Sequence, residues 1–296
     1  PVISLSFARC KGATLDDCLA TMRQIIRVAV RSHDYLRESP ALSQDDLAFL
    51  SSVSDSMDMP IATSCLGQLC RMLEAHHHTK PVILLDEYDA PMQEAWINGY
   101  WDEMVAFIRA LFNNTFKTNT HLARGLMTGI TRISKESIFS DLNNLTVVTT
   151  TSGKYETAFG FTEKEVFDAM DYQGMDPENK KDVKTWYDGF SFGDSVDIYN
   201  PWSITCYLDE KKLNTWWADT SSNSLIGSLL RTGDPELKQI FEALLAGESI
   251  KTTINEQIVF SQLDGNNNAV WSLLLAAGYL KAVHVQIWPD GSEPEY

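Results

Sequence analysis

Over the first half of the chain the apolar positions alternate between two rhythms. Val82-Ile83-Leu84-Leu85 runs without a polar interruption and ends at once in Asp86-Glu87. Such a run suits a strand covered on both faces, as in a parallel sheet between helix layers. Pro1 to Phe7 reads as a second strand and Leu122 to Gly129 as a third. Leu145 to Thr150, rich in β-branched residues, reads as a fourth. Between the strands the period becomes helical. Thr14-Leu15-Asp16-Asp17 opens a helix by side-chain capping, and Leu19, Met22, Ile26 and Val30 mark its apolar face to about residue 38. Ser43 to Ser51 forms a short helix, Ile61 to Leu73 another, and Trp101 to Phe116 carries a long apolar stripe. Strand and helix in repetition indicate a right-handed parallel α/β layer, which the pattern places at 1–160.

Beyond that point the repetition stops. Thr162-Glu163-Lys164-Glu165 is a capping box for a helix to Tyr172. Residues 161–233 read as a helical region with aromatic loops. Asp234-Pro235 opens a helix that ends at Gly247, and Val270 to Ala277 forms a short one broken by Gly278. Leu280 to Trp288 then reads as a strand running into the Pro289-Asp290-Gly291 turn. A helix followed by one hairpin arm suggests an incomplete winged-helix element over 234–296. The chain opens directly in a strand and without Met, so it reads as part of a longer protein.

Composition narrows the function. The formal net charge of −16, from 40 acidic against 24 basic residues, disfavours broad contact with nucleic-acid backbone or an anionic membrane. No apolar run approaches the ~18 residues that span a bilayer. The five cysteines form no CxxC pair and read as reduced thiols of a cytoplasmic protein. His76-His77-His78 reads as a loop of solvated histidines rather than a metal site.

The chemistry concentrates at the end of the central strand. In open α/β sheets, ligands sit beyond the carboxyl ends of the strands. Asp86 and Glu87 would therefore reach the ligand edge. There an acid on the strand tip holds Mg²⁺ through its water shell, and a neighbouring acid orients an attacking water. The bland alternative is a buried strand that ends in a solvated acidic turn. Asp89, just before Pro91, reads as a helix cap.

Several ordered blocks sharpen this picture. They are Leu84 to Pro91, Gly129 to Leu145, Phe159-Gly160-Phe161-Thr162, Trp186 to Phe190, Tyr199 to Ile204, Thr220 to Asn223 and Leu273 to Leu280. In this order they resemble the bacterial predicted AAA-ATPase family. These are P-loop proteins often joined at the C-terminus to a PD-(D/E)XK nuclease-like domain. The resemblance covers nearly the whole chain.

The resemblance implies roles. Asp86 is similar to the Walker B acid that holds Mg²⁺ through water, and Glu87 to the water-orienting base. Thr128 and Arg132 lie where related ATPases sense the γ-phosphate of ATP. For Arg132 a charge-stabilising role and a loop salt bridge both stand, while Lys135-Glu136 reads as a solvated pair. Trp186, Tyr187, Tyr199 and Trp202 read as loop aromatics, packed on one another or stacked on an adenine. The family's phosphate loop, ending Gly-Lys-Ser/Thr, would precede the strand at Val2. Gly153-Lys154-Tyr155 does not have that form. Two functions follow. The first is an Mg²⁺-dependent ATPase module that, in the intact protein, controls a C-terminal effector domain, with nucleic acid touched only indirectly. The second is a nucleotide-insensitive protein- or nucleic-acid-interaction module of degenerate NTPase fold, with the winged helix as its contact surface.

Overall fold

The structure, a computed structural model, describes residues 1–130, 142, 144–217, 227, 235–254, 267–286 and 295–296. Pro1–Leu145 forms one compact unit, and a second begins at Thr146.

The first unit is built on three parallel strands, β1 (Val2–Ser6), β2 (Val82–Asp86) and β3 (Arg124–Met127), with β2 in the middle. The register aligns Ser4, Leu84 and Leu126. Its helices are α1 (Leu15–Arg31), α2 (Gln44–Ser52), α3 (Met59–His77), α4 (Ala90–Asn98) and α5 (Trp101–Phe116), with a 3₁₀ turn at Asp34–Glu38. Local chemistry starts them where the pattern expects. The Thr14 side chain accepts from the Asp17 N–H, Ser43 and Asp46 form a capping box, and Asp58 accepts from the Ile61 N–H. The α1 helix stops at Arg31, and the 3₁₀ turn carries the chain on toward residue 38. His76 and His77 close α3, and His78 caps it at a positive φ of 53°, so the triplet ends a helix rather than forming a loop.

Two expectations fail here. The apolar run of β2 is not covered on both faces. Side chains alternate across a strand, and Ile3, Ile83 and Leu85 are buried among the unit's helices, whereas Val2, Leu84 and Leu126 are 51%, 38% and 60% exposed. An apolar run therefore marked strand but not coverage, because coverage depends on which layers the chain returns. Residues 145–150 also lie outside any strand. There the hydroxyls of Ser152 and Thr149 engage one another at 3.0 Å, and the Thr149 N–H donates to Ser152 Oγ at 2.9 Å. Such local bonds compete with a ladder, and β-branched propensity alone does not supply a partner strand. Among the described residues β3 thus forms an edge of the sheet.

The second unit contains an antiparallel sheet that the sequence reading missed. Its strands are β4 (Phe161–Thr162), β5 (Asp188–Phe192) and β6 (Ser195–Tyr199), with β6 central. The signal was present: Gly193-Asp194 is a two-residue hairpin turn, with Gly193 at φ 55°. The helices are α6 (Glu163–Tyr172), α7 (Asn179–Tyr187), α8 (Pro201–Glu210), α9 (Pro235–Leu245) and α10 (Asn267–Ala276). Val166, Met170, Val183, Tyr187, Tyr199, Ile204 and Tyr207 form a core, and Leu237, Val270, Trp271 and Leu274 form a second cluster. The four aromatic residues expected in loops sit on elements instead. Trp186 and Tyr187 end α7, Tyr199 ends β6, and Trp202 lies in α8. Within 280–286 no strand forms, only a single antiparallel bridge from Gln286 to Glu295. No helix among the described residues is long and apolar enough to cross a membrane.

Candidate functional site

The parallel ladder carries three polar side chains to one edge. Ser6 ends β1, Asp86 ends β2, and Thr128 follows β3 by one residue. The ladder continues past the strands. The Thr128 N–H donates to Leu85 O at 2.9 Å, and the Tyr88 N–H donates to Thr128 O at 3.0 Å. This extension brings Thr128 Oγ1 to 2.6 Å from Asp86 Oδ1. On the other side Ser6 Oγ stands at 3.5 Å from Asp86 Oδ2, a weak contact. The Asp86 carboxylate is thus oriented mainly by Thr128.

Glu87 turns the chain off the strand in the left-handed region, at φ 54°, a rare conformation for a residue with a side chain. Its carbonyl accepts from the Ala90 N–H at 3.1 Å and so starts α4. Burial pushes the Glu87 carboxyl above its ordinary range, and the charges of Asp89 and Asp86 add to that push. Lys11, in the loop after β1, opposes it.

Asp89 is fully buried at the N-cap position of α4, yet it makes no side-chain cap bond. Its Oδ2 accepts from Gln93 Nε2 at 2.8 Å instead. The helix-cap reading thus holds for position but not for bonding. Gly129 lies against this carboxylate and against the Tyr88 ring, where a Cβ would come within 2.8 Å of Tyr88 Cε1. Only glycine lets the strand exit pass so close. Tyr88 in turn packs edge-on to Phe112, with centroids 6.5 Å apart.

The structure therefore brings together Asp86, Thr128 and the adjacent Glu87. Arg132 and Lys135-Glu136 lie outside the described residues. Sequence reasoning missed Lys11, although a loop leaving the first strand at the same sheet edge is a legible hint. It also missed Gly129 as the neighbour of Asp89. One carboxylate and nearby hydroxyls are hard oxygen donors, a set that fits Mg²⁺ retaining most of its water. Among the described residues no three of His, Cys, Asp and Glu converge as metal ligands, so a cation here would rest on Asp86 and water.

The fold and site define an α/β protein with its polar side chains at the carboxyl edge of a parallel sheet. Residues 1–139 match the family described as Predicted AAA-ATPase, which confirms the resemblance over that segment. The chain is also similar to an uncharacterized protein in the vnfD 5′ region of Azotobacter chroococcum mcd 1. The two are 27% identical over 239 residues, 78% of this chain and 42% of that protein. The chain thus spans less than half the length of that curated relative. No solved structure matches.

Proposed function

We propose that this chain is the ATPase-like part of a regulatory protein that, when intact, binds and hydrolyses Mg-ATP to control an attached effector domain. The observation that carries the reading is the 2.6 Å contact between Thr128 and Asp86 at the carboxyl edge of adjacent parallel strands. In this reading Asp86 is the Walker B acid that would hold Mg²⁺ through water, and the ion would supply charge to offset the phosphates. Thr128 fixes the Asp86 carboxylate and senses the terminal phosphate. Glu87, whose proton affinity burial has raised, takes a proton from the attacking water and orients it. Arg132 stabilises developing charge. The phosphates would be cradled by a segment outside these residues, and the edge of β3 is a suitable place for its strand to pair.

The test is the parent protein carrying Glu87→Gln, which keeps shape and removes the charge. ATP binding should persist while turnover falls by roughly 10²-fold or more. Unchanged turnover would remove Glu87 from the role of base. Failure of the unaltered parent to bind ATP would favour the nucleotide-insensitive module.

A further inference from the structure

The second unit holds an aromatic cavity that plays no part in the proposed ATPase site. Its volume is about 200 Å³, and its walls include Phe190, Phe192, Trp217, Thr150, Ser191 and Lys281. Phe190 and Phe192 stack with centroids 5.8 Å apart and planes 15° from parallel. Trp217 stands edge-on to Phe190 at 6.0 Å, and Phe159 stands edge-on to Phe192 at 6.4 Å. The wall is built to stay in place. Gly278 adopts φ 76° at the end of α10, and a Cβ there would come within 2.7 Å of Phe190 Cε1. Backbone therefore rests directly on the ring.

Two polar groups border the cavity. Ser191 lines it, and its Oγ is buried and makes no hydrogen bond. A buried hydroxyl without a partner is unfavourable, and the polar edge of a bound ring would relieve it. Lys281 Nζ stands 3.6 Å from Asp188 Oδ1, beyond direct hydrogen-bond distance. Asp188 is itself drawn toward its neutral form, by burial and then by its bond with Asp197. The pair is long, and the Lys281 side chain is 35% exposed, so its ammonium can turn toward an anion in the cavity.

We infer that this cavity is a binding site for a flat aromatic ring that bears a hydrogen-bonding edge and an anionic group. The ring lies along the Phe190–Phe192 wall with Trp217 as its end stop, where ring-to-ring contact is most favourable. Ser191 meets the polar edge, and Lys281 meets the anion. The inference is independent of ATP hydrolysis in the first unit. Two sources share this chemistry, free nucleotides and aromatic acids.

The test uses the full chain with adenosine monophosphate and indole-3-acetate as ring probes, and inorganic phosphate as a ring-free anion. Binding is followed by saturation-transfer NMR and titration calorimetry. At least one ring probe should bind saturably with Kd of about 1 mM or tighter, and the one that binds identifies the source. Lys281→Met should weaken that binding by about tenfold. Ser191→Ala should weaken it by about threefold without lowering Tm, because it deletes an unsatisfied hydroxyl. Absence of saturable ring binding would overturn the inference. So would phosphate binding as tightly as the rings, or affinity unchanged in both variants. Ring binding that Asp86→Ala abolishes would assign it to the first unit instead.

Discussion

The hydroxyl of Thr128 lies 2.6 Å from Oδ1 of Asp86, across the parallel pair of β2 and β3. These residues are 42 positions apart in sequence and meet because the ladder continues past the end of β3 to Thr128. The bond selects one orientation of the carboxylate at the sheet edge. Thr128→Val keeps the shape and removes the donor. Both groups are solvent-accessible, so the loss should be about 1 kcal/mol, read from the denaturation midpoint. Thr128→Ser should restore most of it, and equal midpoints for Val and Ser would show that the bond contributes nothing.

Glu87 should be destabilising at neutral pH. Its folded-state pKa is raised, first by burial and then by Asp89 and Asp86. For an acid so shifted, stability is greatest below the ordinary value of 4.5 and is lost as pH rises through the higher folded value. Glu87→Gln should therefore raise Tm at pH 7 and leave it nearly unchanged below about pH 4. A lower Tm at pH 7 would show that Glu87 has a stabilising partner.

Asp46 should behave in the opposite sense. It is 6% exposed, closes the capping box with Ser43, and pairs with Arg71. The Arg71 hydrogen bond is the main cause that holds its carboxyl below the usual value of 3.8, with Ser43 assisting. Its contribution is present above that value and is lost as pH falls through the lower folded pKa. Asp46→Ala removes a cap and leaves Arg71 without this partner, which should cost about 2 kcal/mol near neutrality. The difference from wild type should shrink in an acid titration of Tm, and a constant difference would contradict the assignment.

These residues alone should not turn over Mg-ATP. Phosphates are placed by backbone amides at a helix N-terminus and by a lysine of the Gly-Lys-Ser/Thr form. That form does not occur here. Without such a cradle Asp86 and Glu87 face a polyanion. A turnover assay of the chain against Asp86→Ala checks this, and activity lost on that substitution would reveal a phosphate site built from other residues.

Parts of the fold were legible because their causes are local. The stripe from Trp101 to Phe116 became α5 with the same bounds, and Thr162 with Glu165 capped α6 as read. The strand ending at Asp86 was legible from its apolar run and the acids that follow. Because adjacent parallel strands end at one edge, the approach of Thr128 to Asp86 was within reach of topology. The hairpin of β5 and β6 was missed although the Gly193-Asp194 turn marks it, because the ladder is irregular between Asp188 and Phe192 and no clean alternation shows. Lys11 acts on the site through its charge and Gly129 through its packing against Asp89 and Tyr88, which no short window of sequence reports.

The sequence by itself determined the starts of α1, α2 and α6, the places of β1, β2 and β3, and the order of acidic residues at the tip of β2. Periodicity, capping and turn chemistry act over a few residues and can be read there. The tertiary structure decided which face of the parallel sheet is covered, leaving Leu84 and Leu126 exposed while Ile83 and Leu85 are buried. It also decided that 145–150 remains outside the sheet and that Asp89 bonds Gln93 while buried against Gly129. Each of these depends on a partner supplied from elsewhere in the chain. A residue's own propensity states what it can form, and only the returning segments decide what it meets.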